Sequence, residues 1–139
     1  MMAGNGSKGS AAIEFAMLLP LVLYLFFGML EYGWFLTNQI VLTSAVADGA
    51  RSAVKAKEWE GEDPAEIARA VVRNGFWPFE LEDDFIKAGE VEDGEEDLPY
   101  LPRRFEVEVA SIEFPALTGY LPESWVPQTL SARTVMVFP

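Results

Sequence analysis

The chain has 139 residues, half of them hydrophobic, and 22 acidic against 10 basic side chains give it a net charge of -12. That length allows one small folded unit with an anchor rather than two full cores, and such acidity argues against a nucleic-acid partner, whose phosphates select a basic face. With no cysteine and no histidine, disulfides, thiolate nucleophiles, Ser-His-Asp triads and the usual zinc sites are excluded.

Residues 1–12 are rich in Gly, Ser and Ala, carry one charge at Lys8, and read as a short flexible tail. No charged residue occurs from Phe15 to Leu30. With the apolar residues on either side, the run approaches the ~20 residues a helix needs to cross a bilayer, so residues 10–36 are assigned to a single transmembrane helix. Pro20 lies in its first third, where a membrane helix tolerates a kink, and Gly28 and Gly33 permit close helix approach. The helical spacing continues through Tyr32, Phe35, Ile40, Ala47, Ala50 and Val54, which predicts one long helix from near Ile13 to about Lys57, residues 37–57 being its continuation. Its lower half carries the small residues Ala45, Ala47, Gly49, Ala50, Ser52 and Ala53. They suit core packing and intersubunit packing equally well.

A second, short helix is signalled by DPAEIARAVVRNG, with Asp63 as N-cap, Pro64 at the first helical position, Glu66 as the capping-box partner and Asn74-Gly75 as the stop. Residues 80–97 hold ten acids against Lys87 alone and read as a solvated loop. The segment RRFEVEVASIEF alternates up to Val109 and then changes phase, which predicts a strand with a bulge near Ala110 and Ser111. LSARTVMVF is a second strand, and the Pro-rich PALTGYLPESWVP between the two is expected to form a structured loop or a lid over the sheet. The predicted sheet core comprises Phe105, Val107 and Val109 on one strand and Leu130, Ala132, Met136 and Phe138 on the other.

Lys8 and the amino terminus precede the span, whereas no Lys or Arg occurs from Met29 to Gly49. The positive-inside bias therefore places the tail in the cytoplasm and residues 37–139 on the other side of the membrane. The nearest small-residue cleavage pattern for a secretory signal, Ala45 to Ala47, lies well beyond the apolar run, so the anchor is expected to be retained.

Glu14 stands at the opening of the apolar run, where an acid costs less than the roughly 2.5–3.5 kcal/mol assigned to a helix centre. As an edge residue it needs no further role, whereas buried it needs a cationic partner. Its setting is specific: Lys8, then Gly9-Ser10, then Glu14-Phe15 as the fifth and sixth residues counted from Ser10, then an apolar helix. This arrangement resembles the prepilin-type processing motif of type IV pilins and pseudopilins. More narrowly, Glu14-Phe15, Leu19-Pro20, Gly28, Glu31-Tyr32-Gly33 and Ala47-Asp48-Gly49-Ala50-Arg51 resemble the TadE-like pseudopilins of tight-adherence (Flp-type) pilus and secretion systems, over about residues 9–54.

That resemblance implies a pilin-like α+β fold, a leader at residues 1–9 cut between Gly9 and Ser10 by a prepilin peptidase, and a subunit that meets other pilin-like subunits and an assembly platform. The new α-amino group, with a reference pKa of about 7.7–8.0, would be the partner Glu14 lacks, supplied by a neighbouring subunit. Glu14, Phe15, Pro20 and Glu31 are the expected assembly residues. For Glu31 two readings stand, a marker of the membrane exit and a contact with a neighbouring helix. Asp48 and Arg51 suit a surface pair on one helix face.

The rival function is an unprocessed single-pass tether whose acidic outer domain binds a protein. A calcium site in EVEDGEED is disfavoured because the D-x-D-x-D-G order is missing. An enzyme is disfavoured because abundant carboxylates do not by themselves set an acid and a base across a substrate. No cofactor, metal, nucleic acid or small-molecule substrate is expected.

Overall fold

The computed structural model describes residues 6–57, 61–77, 80–91 and 102–138. Helix α1 runs without a break from Gly6 to Ala53, 48 residues, about 72 Å at 1.5 Å per residue, and continues through Pro20. It begins earlier than the span assigned from sequence: residues 6–9, expected in the leader and tail, are helical. Adding residues to an existing helix costs little compared with nucleating one, and Ala11 and Ala12 favour it. Residues 1–5 of the expected leader lie outside the described residues.

Helix α2, Pro64–Gly75, starts where the capping signals place it, with the Asp63 carboxylate accepting from the Ala65 N–H at 2.9 Å. It packs on the small-residue face of α1. A Cβ built on Gly49 would stand 2.6 Å from Val72 Cγ2 and 3.1 Å from the Ala68 carbonyl oxygen, and one on Gly75 would stand 3.1 Å from Ala45 Cβ. Of the two uses open to that face, core packing within the chain is the one it serves.

Three antiparallel strands follow in the order β1-β2-β3: Ile86–Glu90, Arg104–Glu113 and Thr129–Val137. The register between β2 and β3 slips between Val109 and Ile112, at the Ala110-Ser111 bulge that the change of phase predicts. Phe105, Val107, Val109 and Leu130 are buried, with Ala132, Met136 and Phe138 partly buried against them. With Ile86, Leu81 and Phe76 they close on Leu42, Val46 and Ala50 of α1. The protein is therefore α+β, a long apolar helix carrying a short helix and a three-stranded sheet.

One expectation is corrected and another is made specific. Within the acidic stretch, Asp83–Phe85 is a 3-10 turn and Ile86–Glu90 is a strand rather than a solvated loop. Its charge density hid one buried anchor, Ile86 opposite Val109, and a cross-strand opposition of Lys87 to Glu108, the kind of pair that stabilises a sheet face. Residues 92–97, most of the segment in which a calcium site is disfavoured, lie outside the described residues. The Pro-rich segment 115–128, expected as a loop or a lid, sends its polar contacts to α1.

Arg103 donates from Nε to Glu90 at 3.3 Å and makes a second, closer contact through Nη2. The hydrogen bond from Arg103 holds the Glu90 carboxyl below its ordinary value, partial desolvation opposing and the guanidinium charge adding. Because the folded group is the stronger acid, its stabilisation is complete above the ordinary glutamate range and is lost as pH falls through the lowered value. Both side chains are about half exposed (53% and 49%), which limits the effect to roughly a few tenths of a kcal/mol. Thermal unfolding followed against pH should show Glu90→Gln slightly less stable than the parent at neutral pH, with the gap closing in acid. At Gly49 a larger side chain has nowhere to go: Gly49→Leu should lower stability by about 1–3 kcal/mol through overpacking, read as a fall in the melting temperature in detergent.

Candidate functional site

Two carboxylates mark the two ends of the apolar part of α1, and the structure treats them differently. Glu14 is exposed and takes one hydrogen bond, from the Ser10 hydroxyl one turn earlier at 3.2 Å. That bond crosses from the residue after the expected cut to the carboxylate, so Gly9, Ser10 and Glu14 lie within one or two turns of a single helix. Phe15, beside Glu14, is 65% exposed. Pro20 lies inside the helix, where its missing N–H leaves one carbonyl of the preceding turn without its usual partner.

Glu31 is fully buried. Its Oε1 accepts from the Thr118 N–H at 2.6 Å, the Thr118 hydroxyl at 2.5 Å and the Gly119 N–H at 3.1 Å, while Oε2 accepts from the Leu117 N–H at 2.8 Å. Successive backbone N–H groups turned toward one point form a concave anion site, and Gly119 completes the turn with φ +66, a conformation a side chain disfavours. The carboxylate oxygens are thus occupied from within their own chain. Sequence reading missed this partner because the donors are backbone amides 86–88 residues away. The one legible signal was T-G, a small turn pair, inside the Pro-rich segment.

Around Glu31 the same loop grips α1 at further points. The Tyr32 hydroxyl donates to the Trp125 carbonyl at 2.7 Å, the Tyr120 ring stacks on Phe27 at 4.6 Å between centroids and 8° between planes, and Leu121 comes within 4.0 Å of a Cβ built on Gly28. Further along, the Gln39 amide donates to the Ser131 carbonyl of β3 at 2.8 Å, and Phe114 sits against Trp34 and Phe35. Asp48 and Arg51 form the expected surface pair at 2.7 Å.

The rest of the apolar segment is bare. α1 is long and apolar enough to cross a membrane, and no residue of its most apolar stretch is buried in the protein. From Met29 past Glu31, an apolar stripe of Met29, Leu36 and Ile40, all more than half exposed, continues along the side of the helix opposite Glu31, Asn38, Leu42 and Val46. Among the described residues no cluster of three acidic, His or Cys side chains fit to hold a metal ion occurs.

Helix, head and bare apolar segment define a class, that of a small α+β head carried on one long N-terminal helix with the length and composition of a single membrane span. Within that class, residues 9–51 match the family model of the TadE-like proteins. The match covers less than a third of the 139 residues and ends before α2 and the sheet. No curated protein matches the chain, and no solved structure does.

Replacing Glu31 by Ala takes the acceptor from three part-buried backbone donors, each costing up to roughly 1–3 kcal/mol where water does not replace it. Amide exchange at Leu117, Thr118 and Gly119 should then accelerate strongly, while exchange in the β2-β3 ladder should change much less; unchanged protection at 117–119 would refute the role assigned to the carboxylate.

Proposed function

We propose that the protein is a minor pilin or pseudopilin subunit of a tight-adherence type pilus or related secretion machine, a structural component rather than an enzyme. The observation that carries this reading is the TadE-like match over residues 9–51, which takes in the bare, apolar length of α1 and its Gly9-Ser10 to Glu14 arrangement. In this reading a prepilin peptidase cuts after Gly9 on the cytoplasmic face of the inner membrane. Ser10 becomes the amino terminus, and the helix stays as both anchor and assembly element.

Glu14 then sits one turn inside a new helix N-terminus, whose freed N–H groups and positive dipole end favour a carboxylate. Its own chain offers it the Ser10 hydroxyl, and in a helix bundle the α-ammonium of a neighbouring subunit completes the pair. Because an unpaired acid in an apolar bundle is costly, the pairing selects one axial stagger between helices. Phe15 and Pro20 lie on the same exposed segment, and the stripe of Met29, Leu36 and Ile40 extends the lateral contact past the span. Glu31 contributes by fixing the head at a set height on the helix. The outer face of the membrane is where the head belongs, since the basic residue and amino terminus precede the span.

The test is the intact mass of the protein from its native membranes, with and without the prepilin peptidase. Loss of residues 1–9 only when the peptidase is present is expected. Glu14→Ala should insert and be cut yet fail to co-purify with other pilin-like subunits, and normal assembly of that variant would sink the mechanism. An uncut chain in both backgrounds would favour the tether reading.

A further inference from the structure

The loop 115–126 makes its contacts with α1 at residues 27–32, within the part of the helix that composition assigns to the bilayer. From Ser10 to Glu31 is 21 residues, about 31 Å of helix, which matches the ~30 Å hydrocarbon thickness of a membrane. A bilayer starting at Ser10 therefore has its outer boundary at the loop, not at residue 36.

The surface of the loop fits that position. Leu117, Tyr120 and Trp125 are exposed (51%, 69% and 62%), and only one charged residue, Glu123, occurs from Pro115 to Gln128. Tyr and Trp concentrate at membrane–water interfaces, where an apolar ring meets lipid and a polar atom meets water. Backbone entering such a region must have its polar groups satisfied by protein. Here Leu117, Thr118 and Gly119 give their N–H groups to Glu31, Trp125 and Val126 give theirs to Pro122 and Glu123, and Pro115, Pro122 and Pro127 have none to give.

A groove of about 950 Å³ opens between this loop and α1, lined among others by Leu21, Leu25, Met29, Leu121 and Trp125. Its floor is continuous with the bare helix surface below it, so the medium around the helix also fills the groove.

We propose that loop 115–126 is an interfacial foot that rests in the outer leaflet of the bilayer, with Leu117, Tyr120 and Trp125 among the lipids and an acyl chain in the groove. The foot and Glu31 together set the depth of the helix. The inference rests on the single membrane span and is independent of processing or assembly.

The test uses the full chain reconstituted in phosphatidylcholine/phosphatidylglycerol vesicles, with Trp34, Trp59 and Trp77 replaced by Phe so that Trp125 reports alone. A companion protein keeps only Trp77, which is exposed far from the groove, and a third carries Leu21→Trp in a background without other tryptophans. Expected is a blue-shifted Trp125 emission that loses more intensity to lipids brominated near the headgroup than to lipids brominated near the chain end, with no loss at Trp77. The Leu21→Trp protein should be quenched most by deep bromines. Quenching there without quenching of Trp125 overturns the foot and leaves the span standing, whereas no quenching at either overturns both. Trp125 shielded from aqueous acrylamide but untouched by brominated lipid means that a second protein surface fills the groove, and it too overturns the proposal. Should the Trp replacements disturb folding, the cysteine-free chain allows Leu117→Cys with an environment-sensitive dye, compared with Lys87→Cys; equal, water-like emission from both would again overturn it.

Discussion

A buried carboxylate with four donors holds the two halves of this molecule in register. An ionised Glu31 out of contact with water would be expensive, and the chain meets that cost with hydrogen bonds from a loop almost ninety residues away. Charge-assisted bonds of this kind are short and directional, so they do more than neutralise. They fix which turn of α1 faces the loop, and from there follow the Tyr120–Phe27 stack, the Tyr32–Trp125 bond and the path of the chain between β2 and β3.

The second constraint is steric. α2 approaches α1 so closely that Gly49 has no room for a side chain and Gly75 little, and this contact places the sheet over Leu42 and Val46. Interiors packed at crystal-like density respond to a single added methyl group. The small residues of α1 are therefore spent on the chain's own core, while the bulky exposed ones, from Ile13 to Leu30 and on to Ile40, face outward. Surfaces open to other molecules and surfaces closed within the fold are separated along one helix by position and by angle.

Much of this was legible from local pattern. The apolar run, the Asp63-Pro64 helix start and the phase change at Ala110-Ser111 are signals written in neighbouring residues, and each element they predict is present. What escaped was non-local. β1 is a strand because Ile86 and Lys87 find Val109 and Glu108 across the sheet, although its own segment is dominated by acids. The Pro-rich segment was recognised as ordered, but its destination depended on backbone amides, which carry no residue-type signature. The head end of α1 illustrates the same limit: its small face was visible, and which partner it would take was not. At the other end, Glu14 was conspicuous because a charge in an apolar run is a local anomaly, and its structural partner, Ser10, is one turn away.

The attachment points along α1 have a mechanical consequence. The loop holds residues 27–32, Gln39 is tied to β3, and α2 packs against residues 45–53, so the head is fastened over more than half the length of the helix with no hinge between the fastenings. Thrust or torque applied to the bare end is then delivered to the head without slack. A displacement of one helical residue, about 1.5 Å along the axis and 100° around it, moves the sheet by the same amount, which makes the whole chain a stiff rod with a handle rather than a bead on a string.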